Sequence, residues 1–295
     1  MQTRPSKASL KLLIAASCLG LAVPASAHRA WLLPSATVLT ADADTWVTVD
    51  AAVSNDLFYF EHFPLRLANV GGDPQGMPER RGRGGPPTPV TILGPDGAQV
   101  EPMNGATGRY RTTFDVHLTK PGTYKLAVVS DGGLSATYEK NGKRERWRGT
   151  PESFKKEVPA DAEKLRVSLR QRRMETFVTA GKPTKEALKP TGKGLELDAV
   201  THPNDLYAKE PATFRFLLDG KPAAGAKLSV VRGGIRYRDT LGTIKAETDK
   251  DGLVKITWPE PGMYWLEAEA EDDKAPIEGA KRQATYIATL EVLPQ

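Results

Sequence analysis

Short runs of alternating apolar and polar residues recur along the chain. They are Trp46-Val47-Thr48-Val49, Val90-Thr91-Ile92-Leu93, and the stretches 110–116, 124–129, 195–200, 214–218, 228–231, 254–258, 264–268 and 286–292. A period of two sends successive side chains to opposite faces, so each run predicts a β-strand with one buried side. Turn residues separate the runs: Pro95-Asp96-Gly97, Asp131-Gly132-Gly133, Asn141-Gly142, Asp219-Gly220 and Asp251-Gly252. One short helix is predicted from Thr150 to Lys156, with Thr150 as cap and Pro151 in the first helical position. Strands at this spacing, without long helices between them, predict an all-β chain of two immunoglobulin-like antiparallel β-sandwich domains.

A local repeat supports two related units. Lys120-Pro121-Gly122-Thr123-Tyr124 joins two strands, and so does Glu260-Pro261-Gly262-Met263-Tyr264. A Tyr just past such a corner can bury its ring and bond its hydroxyl to the backbone, the tyrosine corner of Greek-key sandwiches. The Gly-, Pro- and Lys-rich stretch 181–194 reads as the linker, which places one domain at 28–180 and the other at 195–295. Limited proteolysis is expected to cut first in the loop from Gly71 to Pro89 and next near that boundary. Between Gly71 and Pro89 the Gly/Pro/Arg sequence cannot build a core and reads as a disordered loop within the first domain. Trp147, among the basic residues 140–148, reads as an anchor against the domain core with its arginine neighbours in solvent.

Charge changes the picture once the N-terminus is considered. The 295-residue chain carries a formal charge of +5, but its first 27 residues hold Arg4, Lys7 and Lys11 and no acid. The near balance of charge that remains gives no reason to expect a nucleic-acid partner. Those 27 residues read as a signal peptide: basic residues, an apolar run from Leu10 to Val23, Pro24, then Ala25-Ser26-Ala27 before the cleavage point. The expected location is therefore periplasmic or secreted. Cys18, the single Cys, raises a lipoprotein alternative, but a large aliphatic residue three positions ahead of it is absent.

Cleavage after Ala27 exposes His28 as the first residue. Its free amine and imidazole Nδ1 can chelate one ion, and a second His can complete a three-nitrogen site of the kind that copper(II) and nickel(II) favour. The chain has four His. His62 lies in the aromatic segment Phe58-Tyr59-Phe60-Glu61-His62-Phe63, where the rings either shield a ligand or simply fill a core. His202 follows a strand, in His202-Pro203-Asn204-Asp205-Leu206, which echoes Asn55-Asp56-Leu57. His117 alternates onto a solvent face. His28, His62 and His202 are the candidate ligands of a divalent transition metal, and no organic cofactor is indicated. No nucleophile elbow, zinc-protease motif, phosphate loop or Cys nucleophile marks an enzyme.

His28-Arg29-Ala30-Trp31-Leu32-Leu33-Pro34, the segment from Leu195 to Tyr207, and Asp219-Gly220-Lys221-Pro222-Ala223-Ala224-Gly225-Ala226 together resemble a family of secreted bacterial proteins of unknown function. That family is often labelled the periplasmic component of cobalt/nickel uptake. The resemblance implies a soluble metal-binding protein that handles nickel, cobalt or copper, with an inner- or outer-membrane metal transporter as partner. It departs from the family in its Gly/Arg loop and in lacking a hydrophobic C-terminal anchor. Two other classes compete: a copper-dependent oxidase built on an N-terminal histidine brace, and a metal-free β-sandwich scaffold or adhesion protein.

Overall fold

The computed structural model describes residues 28–42, 44–72 and 87–295. The segment read as a signal peptide, with Cys18, lies outside them, as does 73–86 of the Gly/Arg loop. The first half forms β1 (Arg29–Pro34), β2 (Val38–Leu39), β3 (Trp46–Ser54), β4 (Phe63–Pro64), β5 (Val90–Leu93), β6 (Gln99–Val100), β7 (Met103–Thr107), β8 (Thr112–His117), β9 (Gly122–Ser130), β10 (Leu134–Lys140), β11 (Lys143–Gly149), helix α1 (Pro151–Glu157) and β12 (Glu163–Ala180). The second half forms β13 (Leu195–Asp198), β14 (Pro211–Leu218), β15 (Lys221–Pro222), β16 (Lys227–Arg232), β17 (Ile244–Glu247), β18 (Leu253–Thr257), β19 (Gly262–Asp272) and β20 (Lys281–Val292). Among the described residues no helix is long and apolar enough to cross a membrane.

The protein is all-β and its halves follow one immunoglobulin-like plan. In the first, the sheet β1-β3-β8-β7 faces β12-β9-β5-β6, the strand order ABED against GFC with one added strand. In the second, β13, β14 and β18 face β17-β16-β19-β20. Alternation explains both cores. Val47, Val49, Phe114, Val116, Tyr124 and Leu126 are buried between the first pair of sheets, and Phe214, Phe216, Val254, Trp258, Leu266 and Tyr286 between the second.

Each repeat corner is a tyrosine corner. The Tyr124 hydroxyl donates to the Lys120 carbonyl at 3.0 Å and accepts from its N–H at 2.9 Å. Tyr264 donates to the Glu260 carbonyl at 2.7 Å. Gly122 and Gly262 hold φ of 130° and 135°, a region that only glycine enters without strain.

The join between the halves is the part that alternation does not predict. Strand β12 runs for 18 residues. Its Ser168–Thr176 pairs in parallel with Lys281–Thr289 of β20, while Phe177–Ala180 pairs with β9. The outer strand of each sandwich thus closes the other's open edge, and one sheet runs through both halves. The reason β12 escapes a hydrophobic reading is ionic. Arg173, buried in its middle, bonds Glu175 at 3.2 Å and Glu196 at 3.1 Å, and Tyr286 donates to Glu175 at 2.8 Å.

Residues 181–194 are held closely despite their composition. Glu196 accepts N–H bonds from Thr191, Gly192 and Lys193, and Leu188 is buried. The helix forms at Pro151–Glu157 with Thr150 and Ser153 in a capping box.

Candidate functional site

The pairing of β3 brings two of the candidate histidines together. On one side, Arg29 and Ala30 of β1 lie opposite Ser54 and Val53. On the other, Phe63 of β4 lies opposite the same Val53. His28 precedes β1 and His62 precedes β4, so both reach the same end of β3. Both are exposed, and their rings stack with centroids 3.9 Å apart and planes at 24°. The Phe63 ring lies 5.1 Å from His62 and 5.8 Å from His28.

The aromatic segment divides its labour. Phe58 and Phe60 pack on the buried Trp31 at 5.6 and 5.5 Å, while Phe63 flanks the histidines. Trp31 donates from Nε1 to Ser54 Oγ at 2.9 Å, which fixes the start of β1 against β3. From the second half, Trp265 Nε1 donates to the Ala30 carbonyl at 3.1 Å, and the Arg29 guanidinium lies 5.3 Å from the Trp265 ring centre. The first residues of β1 are therefore held from both sandwiches.

His202 lies elsewhere. It is 8% exposed, in a polar knot that ties the loop after β13 to β9 and β12. Its Nδ1 accepts from the Asn204 N–H at 3.1 Å, so the ring proton sits on Nε2, which faces the Thr184 carbonyl at 3.2 Å and Thr123 Oγ1 at 3.1 Å. Burial pushes its pKa below the ordinary value. With both nitrogens engaged by protein, His202 does not join the His28–His62 pair. His117 is at the opposite end of β3, stacked on Trp46 with centroids 4.1 Å apart.

Among the described residues, no three His, Cys, Asp or Glu side chains are grouped to hold one ion. The His28–His62 pair supplies two imidazoles.

His28 also lines a groove of about 2080 Å³. Its floor is the outward face of the continuous sheet, where Arg172, Thr285 and Glu269 form one row and Ile287, Glu267, Ser229 and Lys245 the next. Glu267 is half-buried there. Loss of hydration, aided by neighbouring Glu269, raises its pKa to about 7, against the pull of Arg29, Lys245 and Arg172. Sequence reasoning missed Glu267. It alternates with buried Leu266 and Ala268, so the pattern alone assigns it to solvent, and only the covering half of the molecule makes it unusual.

The fold and site define a two-sandwich, immunoglobulin-like protein with a histidine pair at the start of its first strand. Residues 25–272 match the family described as Domain of unknown function (DUF4198), and the chain belongs to that family. No curated protein matches it. Among solved structures it is similar to the D0-D1 domain of intimin, at 13% identity and a TM-score of 0.21, covering 89% of this chain and 97% of that one. It is also similar to the Yersinia pseudotuberculosis adhesin InvE, at 12% identity and a TM-score of 0.21, covering 88% of this chain and 58% of that one. The group B streptococcus pilus 2b backbone protein matches at 11% identity and a TM-score of 0.14, covering 81% of this chain and 83% of that one. Similarity at this level says nothing about function.

Proposed function

We propose that the protein is exported, processed before His28, and binds nickel, cobalt or copper in the periplasm to hand it to a membrane transporter. The His28 amine and imidazole chelate the ion, and His62 supplies the third nitrogen. The observation that carries this reading is the 3.9 Å contact between two rings that lie 34 residues apart in sequence. A ring stack is not itself a chelate, because ligand nitrogens must aim at one point, so binding turns at least one of the two rings. Their exposure leaves room for that. The donor set is all nitrogen, which suits the late divalent transition metals and not calcium or magnesium. Trp31 and Trp265 hold the backbone behind His28, which positions a chelating N-terminus that would otherwise fray.

Intact mass of the secreted protein under native conditions, with and without a chelator, tests the reading. The expected species begins at His28 and carries one metal ion that the chelator removes. A lipidated species starting at Cys18, or a chain from His28 that stays metal-free in added nickel, cobalt and copper, would remove the basis for it and favour the scaffold class.

A further inference from the structure

The centre proposed above leaves a metal ion with open coordination positions. The His28 amine and imidazole and the His62 imidazole make three nitrogens. Nickel(II) and copper(II) in square-planar or tetragonal sites take at least four donors, nitrogen and oxygen together. Among the described residues no carboxylate joins the His28–His62 pair to hold an ion. The oxygen donors have to arrive from outside the chain, and the surroundings of His28 select their charge.

His28, Arg29 and Ala30 line the groove over the outward face of the continuous sheet. One wall belongs to an insertion of the first sandwich, β10, β11 and α1, carried between β9 and β12. Eight Lys and Arg side chains line the groove against four Asp and Glu. The Ala30 carbonyl bonds Trp265, so Trp265 marks the floor nearest His28. From there the carboxylates recede along β19: Glu267 is two residues on, Glu269 four and Glu271 six, the last about 20 Å away. Three cations converge on Glu267 instead. Arg29 follows His28 and lies over the Trp265 ring. Lys245 shares the cross-strand row of Glu267 and donates to Ser229 at 2.5 Å. Arg172 stands in the next row.

Among the described residues none of these three cations has a carboxylate oxygen within 4.0 Å. Glu267 does not neutralise them. Dehydration and Glu269 outweigh all three and hold its pKa up at about 7, where a close ion pair would have pulled it down. Dehydration also lowers the pKa of Arg29 and of Arg172, and Glu267 alone opposes it. Charges of mixed sign serve solubility on an open surface. Guanidiniums that lose water in a groove without gaining a partner cost free energy, and an anion would offset that cost.

Resting on the metal reading, we propose that Arg29, Arg172 and Lys245 form an anion subsite beside the metal centre, and that the cargo is a divalent metal ion held by a small polycarboxylate. Its oxygens fill the coordination positions that the three nitrogens leave open, and a remaining carboxylate meets the cations. A guanidinium fork matches a carboxylate with paired hydrogen bonds. The groove, at about 2080 Å³, exceeds the ~300–1,000 Å³ of ordinary small-molecule sites, so such a chelate has room. A bare dication gains nothing from an excess of positive side chains, whereas a chelate of net negative charge is drawn in.

Equilibrium dialysis of the chain that starts at His28 against labelled citrate, with and without nickel, tests this. Citrate should be retained one to one with nickel present, and at least about tenfold more weakly without it. The variant Arg172→Gln/Lys245→Gln should weaken nickel-dependent retention by about 10- to 100-fold. Lys245→Gln alone, on the outermost strand β17, should show a smaller loss in the same direction. Lys250→Gln/Lys255→Gln removes as much charge as the double variant, at exposed positions outside the groove, and should stay within about twofold of the parent. Nickel that stays on the protein while citrate passes through, or equal losses in the two double variants, would overturn the anion subsite and leave the metal reading standing. A chain that takes up nickel neither alone nor with citrate would overturn both.

Discussion

Two histidine neighbourhoods of this protein start from similar local sequence and end in opposite chemistry. Asn55-Asp56-Leu57 and Asn204-Asp205-Leu206 both leave a strand, turn, and drive a Leu into a core. His202 stands two residues before its Asn, inside the turn, where the Asn204 N–H and the Thr184 carbonyl engage both ring nitrogens. His62 stands seven residues after its Asn, at the rim, where it meets the ring of His28. A buried imidazole with two protein partners is part of the frame. The exposed His62 ring instead stacks on that of His28 at the rim. Position relative to the turn, not residue type, separates the two settings.

The largest effect should break the frame and spare the site. His202→Ala leaves the buried Asn204 N–H and Thr184 carbonyl without partners, and a loss of about 2–4 kcal/mol in unfolding free energy is expected. Metal affinity of the folded variant should be unchanged. Denaturant titration and calorimetry separate the two quantities. Because burial depresses the folded-state pKa of His202, the unfolded chain takes up a proton first as pH falls. Its contribution to stability is therefore whole above about pH 6.5 and is lost as the pH falls toward the lowered folded value. His202→Gln should flatten that part of the pH–stability profile.

His62→Ala should do the reverse. It removes an exposed ring, so the melting temperature should hold to within about 2 °C. Affinity for nickel or copper should fall by about 10- to 100-fold, as when a supporting interaction is lost from a metal site. A variant that melts early or binds metal unchanged would place His62 with the frame.

The groove offers a smaller test. Glu267, with its pKa raised to about 7, favours the protonated folded state. The penalty for ionising it is absent below about pH 4.5, grows through the interval up to 7, and is full above it. Glu267→Gln should stabilise the protein by about 1–2 kcal/mol at pH 8 and leave it unchanged near pH 4.5, with water in the groove keeping the gain below that of a fully buried carboxyl.

The elements most legible in the sequence are those with one dry face. The runs Val90–Leu93, Phe214–Leu218 and Val254–Trp258 became strands β5, β14 and β18 within a few residues, and both Pro-Gly-x-Tyr corners formed. Strand β12 was not legible. Its sequence Arg170-Gln171-Arg172-Arg173 reads as a basic run, because Arg173 is neutralised by Glu175, two residues on in the same strand, and by the remote Glu196, and because its strand partner β20 lies more than 100 residues away. Trp147 was read as an anchor on the domain core, whereas it packs on α1 within the insertion and donates to Glu157. The His28–His62 pairing was legible as a possibility of chemistry. Its geometry needed the register of β3, which no local pattern encodes.

The central claim is that the amine of a processed His28 is a metal ligand. Titration calorimetry with nickel and with copper, on the chain beginning at His28 and on the same chain with one Ala ahead of it, tests it most directly. The extra residue keeps every side chain and moves the amine away, turning a chelate into a lone imidazole beside His62. The account predicts a loss of about 100-fold or more, on the order of 3 kcal/mol. Equal affinity in the two chains would contradict it.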